Sequence, residues 1–323
     1  MGPRHKPAWI IVLGIAFTIP AFAQNYPTKT VRFIIPFSPG GGSDVIGRIM
    51  AKRLTERAGQ SFVVDNRAGA GGSIGTEIAV RSAPDGYTMV FAGTSEIAIN
   101  PGIYSKLAYD TVKDLIPVAL GASMPIVLVV HPSMPVKSVK DVIALAKAKP
   151  GEITVASAGT GTITHLSGEL FRSMANVTWT HVPYKGTGPA LTDLAGGQVQ
   201  MAFSTLPAAI GLINAKRLRP IATSTKMRAP ALPEVPTVSE SGLAGYDTQF
   251  WIGIFVPLGT PKDVVAWLWN EVAQSLKEQE MIASLATQGA IPGALTQPQF
   301  ADYVKAEVET WGKVVKASGA KVE

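Results

Sequence analysis

An α/β fold of two similar lobes is predicted by three observations. Short apolar runs alternate with amphipathic helical patterns, glycine-rich turns recur where a strand gives way to a helix, and the same rhythm restarts near the middle of the chain. Alternation of this kind implies a mostly parallel sheet with helices on both faces, and such sheets bind ligands at the carboxyl ends of their strands. With 323 residues, 46% of them apolar and 16% charged, the chain has enough apolar material for two cores, and disorder is excluded.

In the first lobe a strand is expected over 31–36, a helix over 44–58 with Ile46, Ile49, Met50 and Leu54 on one face, and a strand over 62–65. A helix over 73–83 and a strand over 88–92 follow. The turn after the first strand carries Gly40, Gly41 and Gly42 and runs directly into a helix start at Ser43. Glycines let backbone approach a ligand closely, and a helix start offers N–H groups and the positive end of its dipole, so the turn reads as an anion cradle. A ligand-free flexible turn is the plainer alternative. The second strand ends in another such turn at Ala68–Ser73, and Thr94 and Ser95 follow the third.

The second lobe repeats the scheme: a strand over 126–131, a helix over 138–147 introduced by Ser138, and a strand over 153–156. Ser157, Gly159, Thr160, Gly161 and Thr162 then lead into a helix over 164–174. Strands over 178–183, 199–204 and 218–223 follow, with a short helix ending at Gly196. Pro125 marks one crossing between lobes, and the extended segment 246–255 carries the chain back. Helices from Pro261 to about 277, over 280–287 and over 297–317 complete the chain.

Composition and motifs exclude several functions. The turn after Gly42 lacks the lysine of a nucleotide P-loop, Asp44 would repel a polyphosphate, and the Gly-x-Gly-x-x-Gly pattern of dinucleotide binding is absent; a small carboxylate fits better. Arg4 and Lys6, an apolar run over 8–19 and Ala21-Phe22-Ala23 form an expected secretory signal, 1–23, cleaved after Ala23. Without those two residues the 29 basic residues fall to 27 against 23 acidic ones, a mild excess with no basic run, so nucleic acid is not an expected partner. There is no cysteine, hence no disulfide or thiol chemistry, and His131, His165 and His181 show no metal-ligand spacing, so neither metal nor cofactor is expected. No Gly-x-Ser-x-Gly elbow occurs, and no catalytic residue is assigned.

Carboxylate donors other than the glycine turns are sought in Thr94, Ser95, Thr205, Lys185 and Thr187, each of which also fits a solvated or capping role. Six separate motifs, in order along nearly the whole mature chain, resemble the Bug family of periplasmic solute receptors of the tripartite tricarboxylate transporter type. They are Pro36–Gly41 with Asp44 and Arg48, Asn66–Gly72 with Ile74-Gly75, Pro84–Thr88, His165-Leu166 with Glu169–Phe171, Val182–Gly186, and Val235–Thr237 with Glu240–Gly242. Gly47 stands where the family usually has Ala and Thr162 where it often has Ser.

The resemblance implies a two-lobed periplasmic binding protein of type II-like architecture, with two crossover segments forming a hinge. Residues 24–124 with 248–323 would form domain 1 and 125–247 domain 2. It implies no enzyme but a receptor that closes on a small carboxylate and presents it to membrane permease subunits, acting as a monomer in the periplasm. Dicarboxylates, tricarboxylates, acidic amino acids and aromatic acids all remain open as ligands. Phe37 would cover the ligand. Ser38, Gly40, Gly41, Gly42 and Ser43 in one lobe and Ser157, Gly159, Thr160, Gly161 and Thr162 in the other would grip one carboxylate. Thr94, Ser95, Thr205 and Trp251 would shape the far end. A carboxylate sensor acting on a signalling partner is one alternative, and a secreted α/β hydrolase using Ser95 with His165 as base is another.

Overall fold

The structure, a computed structural model, describes residue 2 and residues 26–318. The export signal expected over 1–23 lies, but for residue 2, outside the described residues. Among the described residues no helix is long and apolar enough to cross a membrane.

The first half contains β1 (Val31–Ile35), α1 (Gly42–Ala58), β2 (Phe62–Asn66), a 3₁₀ turn, α2 (Ser73–Val80), β3 (Thr88–Gly93), a π-helical turn over Thr94–Ile99 and the short helices α3 (Asn100–Ile103) and α4 (Thr111–Asp114). The long β4 (Leu115–Val130) leads to α5 (Val139–Ala148), β5 (Thr154–Ser157), α6 (Ile163–Ala175), β6 (Thr180–Pro183), α7 (Thr187–Ala195), β7 (Met201–Thr205), α8 (Leu206–Asn214) and β8 (Arg219–Thr223). The chain returns through β9 (Gln249–Pro257) to α9 (Lys262–Ser275), α10 (Gln279–Thr287), β10 (Ile291–Pro292) and α11 (Gln297–Ser318).

The strands form one continuous sheet in the order β2-β1-β3-β9-β4-β7-β5-β6, with β8 and β10 also on β4. Within each half the pairs β1·β2, β1·β3, β5·β6 and β5·β7 are parallel, as the strand–helix rhythm predicts. The whole sheet is not mostly parallel, because β4 and β9 run antiparallel to each other and to β7 and β3. These are the two crossing strands. Their ladder runs from Leu115↔Pro257 to Pro125↔Gln249, after which β4 continues alone between β7 and β8. Ser224 ties the crossing, its Oγ accepting the Ile126 N–H and its carbonyl the Thr248 N–H.

Strand alternation places the cores. Phe33 and Ile35 of β1 join Ile46, Met50 and Leu54 of α1 on one face, while Ile34 joins Ala79 of α2 and Phe300 of α11 on the other. On β4, Ile126, Leu128 and Val130 face α6, whereas Val127 and Val129 face α7 and α8. Helices therefore cover both faces of each half, and the glycine turns that start α1 and α6 are both directed to the boundary between halves.

Candidate ligand-binding site

The turn between β1 and α1 is held open by its own polar residues. Asp44 accepts the Gly40 N–H at 3.0 Å, the Asn66 amide at 2.9 Å and Arg48 Nε at 3.0 Å, while Asn66 also donates to the Phe37 carbonyl at 2.9 Å. Burial opposes ionisation of Asp44, but the bonds from Arg48, Gly40 and Asn66 outweigh it and hold the carboxyl below its ordinary value. Its charge is thus compensated within the turn, and the start of α1 keeps its positive field.

The second turn, between β5 and α6, is more self-contained. Thr162 Oγ1 donates to the Gly159 carbonyl at 2.7 Å, the Ala158 N–H reaches Thr164 Oγ1 at 2.9 Å, the Gly159 N–H reaches Ser157 Oγ at 3.1 Å and the Gly161 N–H reaches His165 Nδ1 at 3.1 Å. The ring of His165 stacks on His181 with centroids 4.0 Å apart, and His181 Nε2 lies 2.7 Å from Ser157 Oγ. Burial pushes the His165 imidazole below its ordinary value, and burial with the neighbouring His165 pushes His181 down to about 4. Both rings are therefore neutral near pH 7, as His165 must be for Nδ1 to accept the Gly161 N–H.

The two halves meet across these turns. The Ser38 N–H and Oγ both donate to the Lys185 carbonyl, at 3.2 and 2.8 Å, and the Ile163 N–H donates to Ser95 Oγ at 3.1 Å. Contact is close enough to require glycine: a Cβ on Gly188 would lie 2.2 Å from the Pro39 carbonyl oxygen, and one on Gly42 would lie 2.4 Å from Thr205 Oγ1.

Two cavities lie along this seam, with Phe37 and Ala158 lining both. The inner one, about 20 Å³, is bounded by Gly41, Gly42, Ser43, Ser95, Thr162, Ile163, Thr164, Thr187, Thr205 and Phe250. It is surrounded by the starts of α1, α6, α7 and α8; none is capped by its own N-cap side chain, and that of α6 is closed from the other half by Ser95 Oγ. Gly42, Ser43, Thr187 and Leu206, at the starts of α1, α7 and α8, are all buried. Thr205 Oγ1 is likewise buried with no partner. Three helix starts without a capping side chain and an unpaired hydroxyl converge on one small space, an environment whose positive field favours an anionic oxygen. The space holds about one water-sized group. The outer cavity, about 630 Å³, lies along the turns at Ser38, Gly69–Gly72 and Gly159–Thr160 and beside Tyr104, Tyr184 and Lys185.

Of the residues expected from sequence, Phe37, Gly41, Gly42, Ser43, Ser95, Thr162 and Thr205 meet at the inner cavity, and Ser38, Gly159 and Thr160 line the outer one. Gly40, Ser157 and Gly161 brace the turns from behind. Thr94 is engaged elsewhere, accepting the Trp251 N–H at 3.0 Å. Trp251 does not shape the far end of the cleft: its ring packs on Phe300 and Tyr303, and its Nε1 donates to Glu307 at 2.7 Å. Sequence reasoning missed Phe250, Ile163, Thr164 and Tyr104; it noted the Gly69–Gly72 turn as a strand end but did not assign it to the site. The Ser95–His165 pairing of a hydrolase is not formed, since Ser95 Oγ takes the Ile163 N–H and His165 Nδ1 takes that of Gly161. Among the described residues no group of His, Asp or Glu is arranged to hold a metal ion.

Comparison with known proteins identifies the family and the fold. The family described as the tripartite tricarboxylate transporter family receptor matches residues 46–320. Protein BugT of Bordetella pertussis is 35% identical over 316 residues, covering 98% of this chain and 96% of that protein. Among solved structures, an R. palustris protein with adipate is 38% identical with a TM-score of 0.89, covering 92% of this chain and all of that one. The periplasmic binding protein BugD is 29% identical with a TM-score of 0.88, again over 92% and 100%. MatC of Rhodopseudomonas palustris, with bound malate, is 30% identical with a TM-score of 0.85 over 90% and 100%.

Proposed function

This chain belongs to the tripartite tricarboxylate transporter receptor family, the periplasmic solute-binding proteins that include the Bug proteins, and from that premise we propose that it captures a small organic acid and carries out no reaction on it. One carboxylate of the ligand enters the inner cavity, where Thr205 Oγ1 and the first N–H groups of α1, α7 and α8 meet its oxygens. The observation that carries this reading is the set of three buried helix starts, those of α1, α7 and α8, without a capping side chain around an unpaired Thr205 hydroxyl. A buried polar group without a partner costs about 1–3 kcal/mol, and an incoming carboxylate removes that cost.

Residues 24–124 with 248–323 move as one domain and 125–247 as the other, hinged where β4 and β9 separate beyond Pro125 and Gln249. The Ser38–Lys185 and Ser95–Ile163 bonds latch the closed form, which is handed to permease subunits after export signalled by residues 1–23. The binding of adipate and malate by two relatives favours dicarboxylates among the open classes.

A thermal-shift screen of organic acids tests the reading. A ligand at 100 times its dissociation constant stabilises the protein by about 2.7 kcal/mol, several degrees for a chain of this size. No shift with any mono-, di- or tricarboxylate, combined with turnover of an ester or amide, would overturn it.

A further inference from the structure

The outer cavity carries a selective set of polar groups. No Asp or Glu lines it, and Lys185 is its one charged residue. Lys185 is exposed and forms no ion pair among the described residues, and the hydroxyls of Tyr104 and Thr160 have no hydrogen-bond partner among them either. Every unengaged side-chain group here is therefore a cation or a hydroxyl. Phe37, Ala70, Pro183 and Pro189 supply apolar wall between them. Glu96, the acid behind Gly72, is fully buried and kept neutral up to about pH 7 by burial, so it does not repel an anion in the cavity below that pH.

Resting on the carboxylate-receptor reading, we infer that Lys185, with the Tyr104 hydroxyl, selects ligands bearing a second anionic group beyond an apolar spacer that passes Phe37. The inner cavity holds one end of such an acid and the outer cavity the other. An anion at Lys185 also bears on closure, because the carbonyl of this same residue accepts both bonds from Ser38 across the seam. A dianion thereby orders the residue that latches the halves, whereas a monoanion leaves Nζ in water. The preference for dianions is expected to weaken with added salt, as for any exposed charge pair.

The latch uses the backbone, so Lys185→Gln removes the charge and leaves the Ser38 bonds in place. Calorimetric titration compares matched acids, adipate with hexanoate and terephthalate with benzoate, on the wild type, Lys185→Gln and Tyr104→Phe, with circular dichroism as the folding control. In at least one pair the wild type is expected to bind the dianion tenfold or more tighter than the monoanion. Lys185→Gln should weaken that dianion tenfold or more and change the monoanion less than twofold, and Tyr104→Phe should act the same way more weakly. Equal loss for both members of the pair, or a wild type indifferent to the second charge, overturns this inference alone. Binding of no acid to the wild type overturns the carboxylate reading together with it.

Discussion

Gly42→Ala is expected to leave the fold intact and to obstruct closure. The added Cβ would stand 2.4 Å from Thr205 Oγ1 and 2.8 Å from Thr205 Cβ, against about 3.5–4.0 Å for ordinary carbon contacts, so the starts of α1 and α8 must separate by roughly 1 Å. Gly42 is not among the glycines with positive φ, so alanine introduces no backbone strain, and the three atoms nearest to its Cβ all belong to Thr205 of the other half. Overpacking of this size costs about 1–3 kcal/mol, which converts to a loss of roughly 5- to 150-fold in affinity. The assay is calorimetric titration with the best acid from the screen, beside urea unfolding of the ligand-free protein, where the midpoint should be unchanged or slightly higher. Thr205→Ala removes the nearest clashing atom, so the penalty of Gly42→Ala should shrink in that background. An unchanged affinity, or the same penalty in both backgrounds, would mean that Gly42 and Thr205 do not meet in the liganded form, and the clamp geometry would be wrong.

Glu96→Gln should change the pH dependence of stability. Burial raises the folded-state pKa from 4.5 to about 7, so as pH rises through that interval the unfolded chain ionises while the folded one does not, and stability declines by about 3 kcal/mol. The variant should lack that decline when urea midpoints at pH 5 and pH 8 are compared; equal declines would reject a neutral Glu96. His181→Asn acts with the opposite sign. With His181 held down to about 4, the unfolded chain takes up a proton as pH falls below 6.5 while the folded one resists, so the wild type loses stability towards pH 4 and the variant should lose less in a melting series. Trp251→Phe should cost about 1–3 kcal/mol through its lost Glu307 bond and packing while ligand affinity stays within twofold; a large loss of affinity would return Trp251 to the site. Ser95→Ala leaves the Ile163 N–H without its acceptor in the closed form and should weaken binding roughly 2- to 12-fold, measured by the same titration.

Much of the fold was legible because local chemistry and tertiary structure agree. Ser138 caps α5 by accepting the Asp141 N–H, Gly59 at φ 66° ends α1, and Asn176 at φ 49° ends α6. The sequence misled where partners at long range override local signals. Residues 115–125 carry Pro117, Gly121 and Pro125, which argue against a strand, yet they pair along β9 through two register shifts that absorb the irregularities. The helix α8 was missed although Thr205 and Pro207 stand where a helix start places them. The π-helical turn had no readable signal, since it depends on Glu96 reaching back at 2.7 Å to the Gly93 N–H inside a closed core.

The site was legible only to the extent that backbone carries it. Glycine turns before helices marked both walls of the cleft, but which side chains enter it depends on strand facing, and a one-residue error reverses the face. Trp251 and Phe250 are neighbours on β9: Trp251 and Phe255 turn to α11, while Phe250 lies on the opposite face and reaches the inner cavity. The same turn of the chain sends Thr94 to β9 and Ser95 to the seam. The second wall departs from expectation in a more telling way. Gly159 and Gly161, expected to grip a carboxylate, have their N–H groups engaged by Ser157 and His165, so the β5–α6 turn supplies a rigid surface more than free donors. Donors left for a ligand lie instead at the starts of α1, α7 and α8 and at Thr205. A capping residue normally satisfies its own helix, and here the capping positions are Gly41 and Gly186, which have no side chain, and Thr205, whose hydroxyl has no partner. On the proposed receptor reading, an acid that completes these three buried helix starts gains those bonds only where the two halves meet, and this couples its capture to closure.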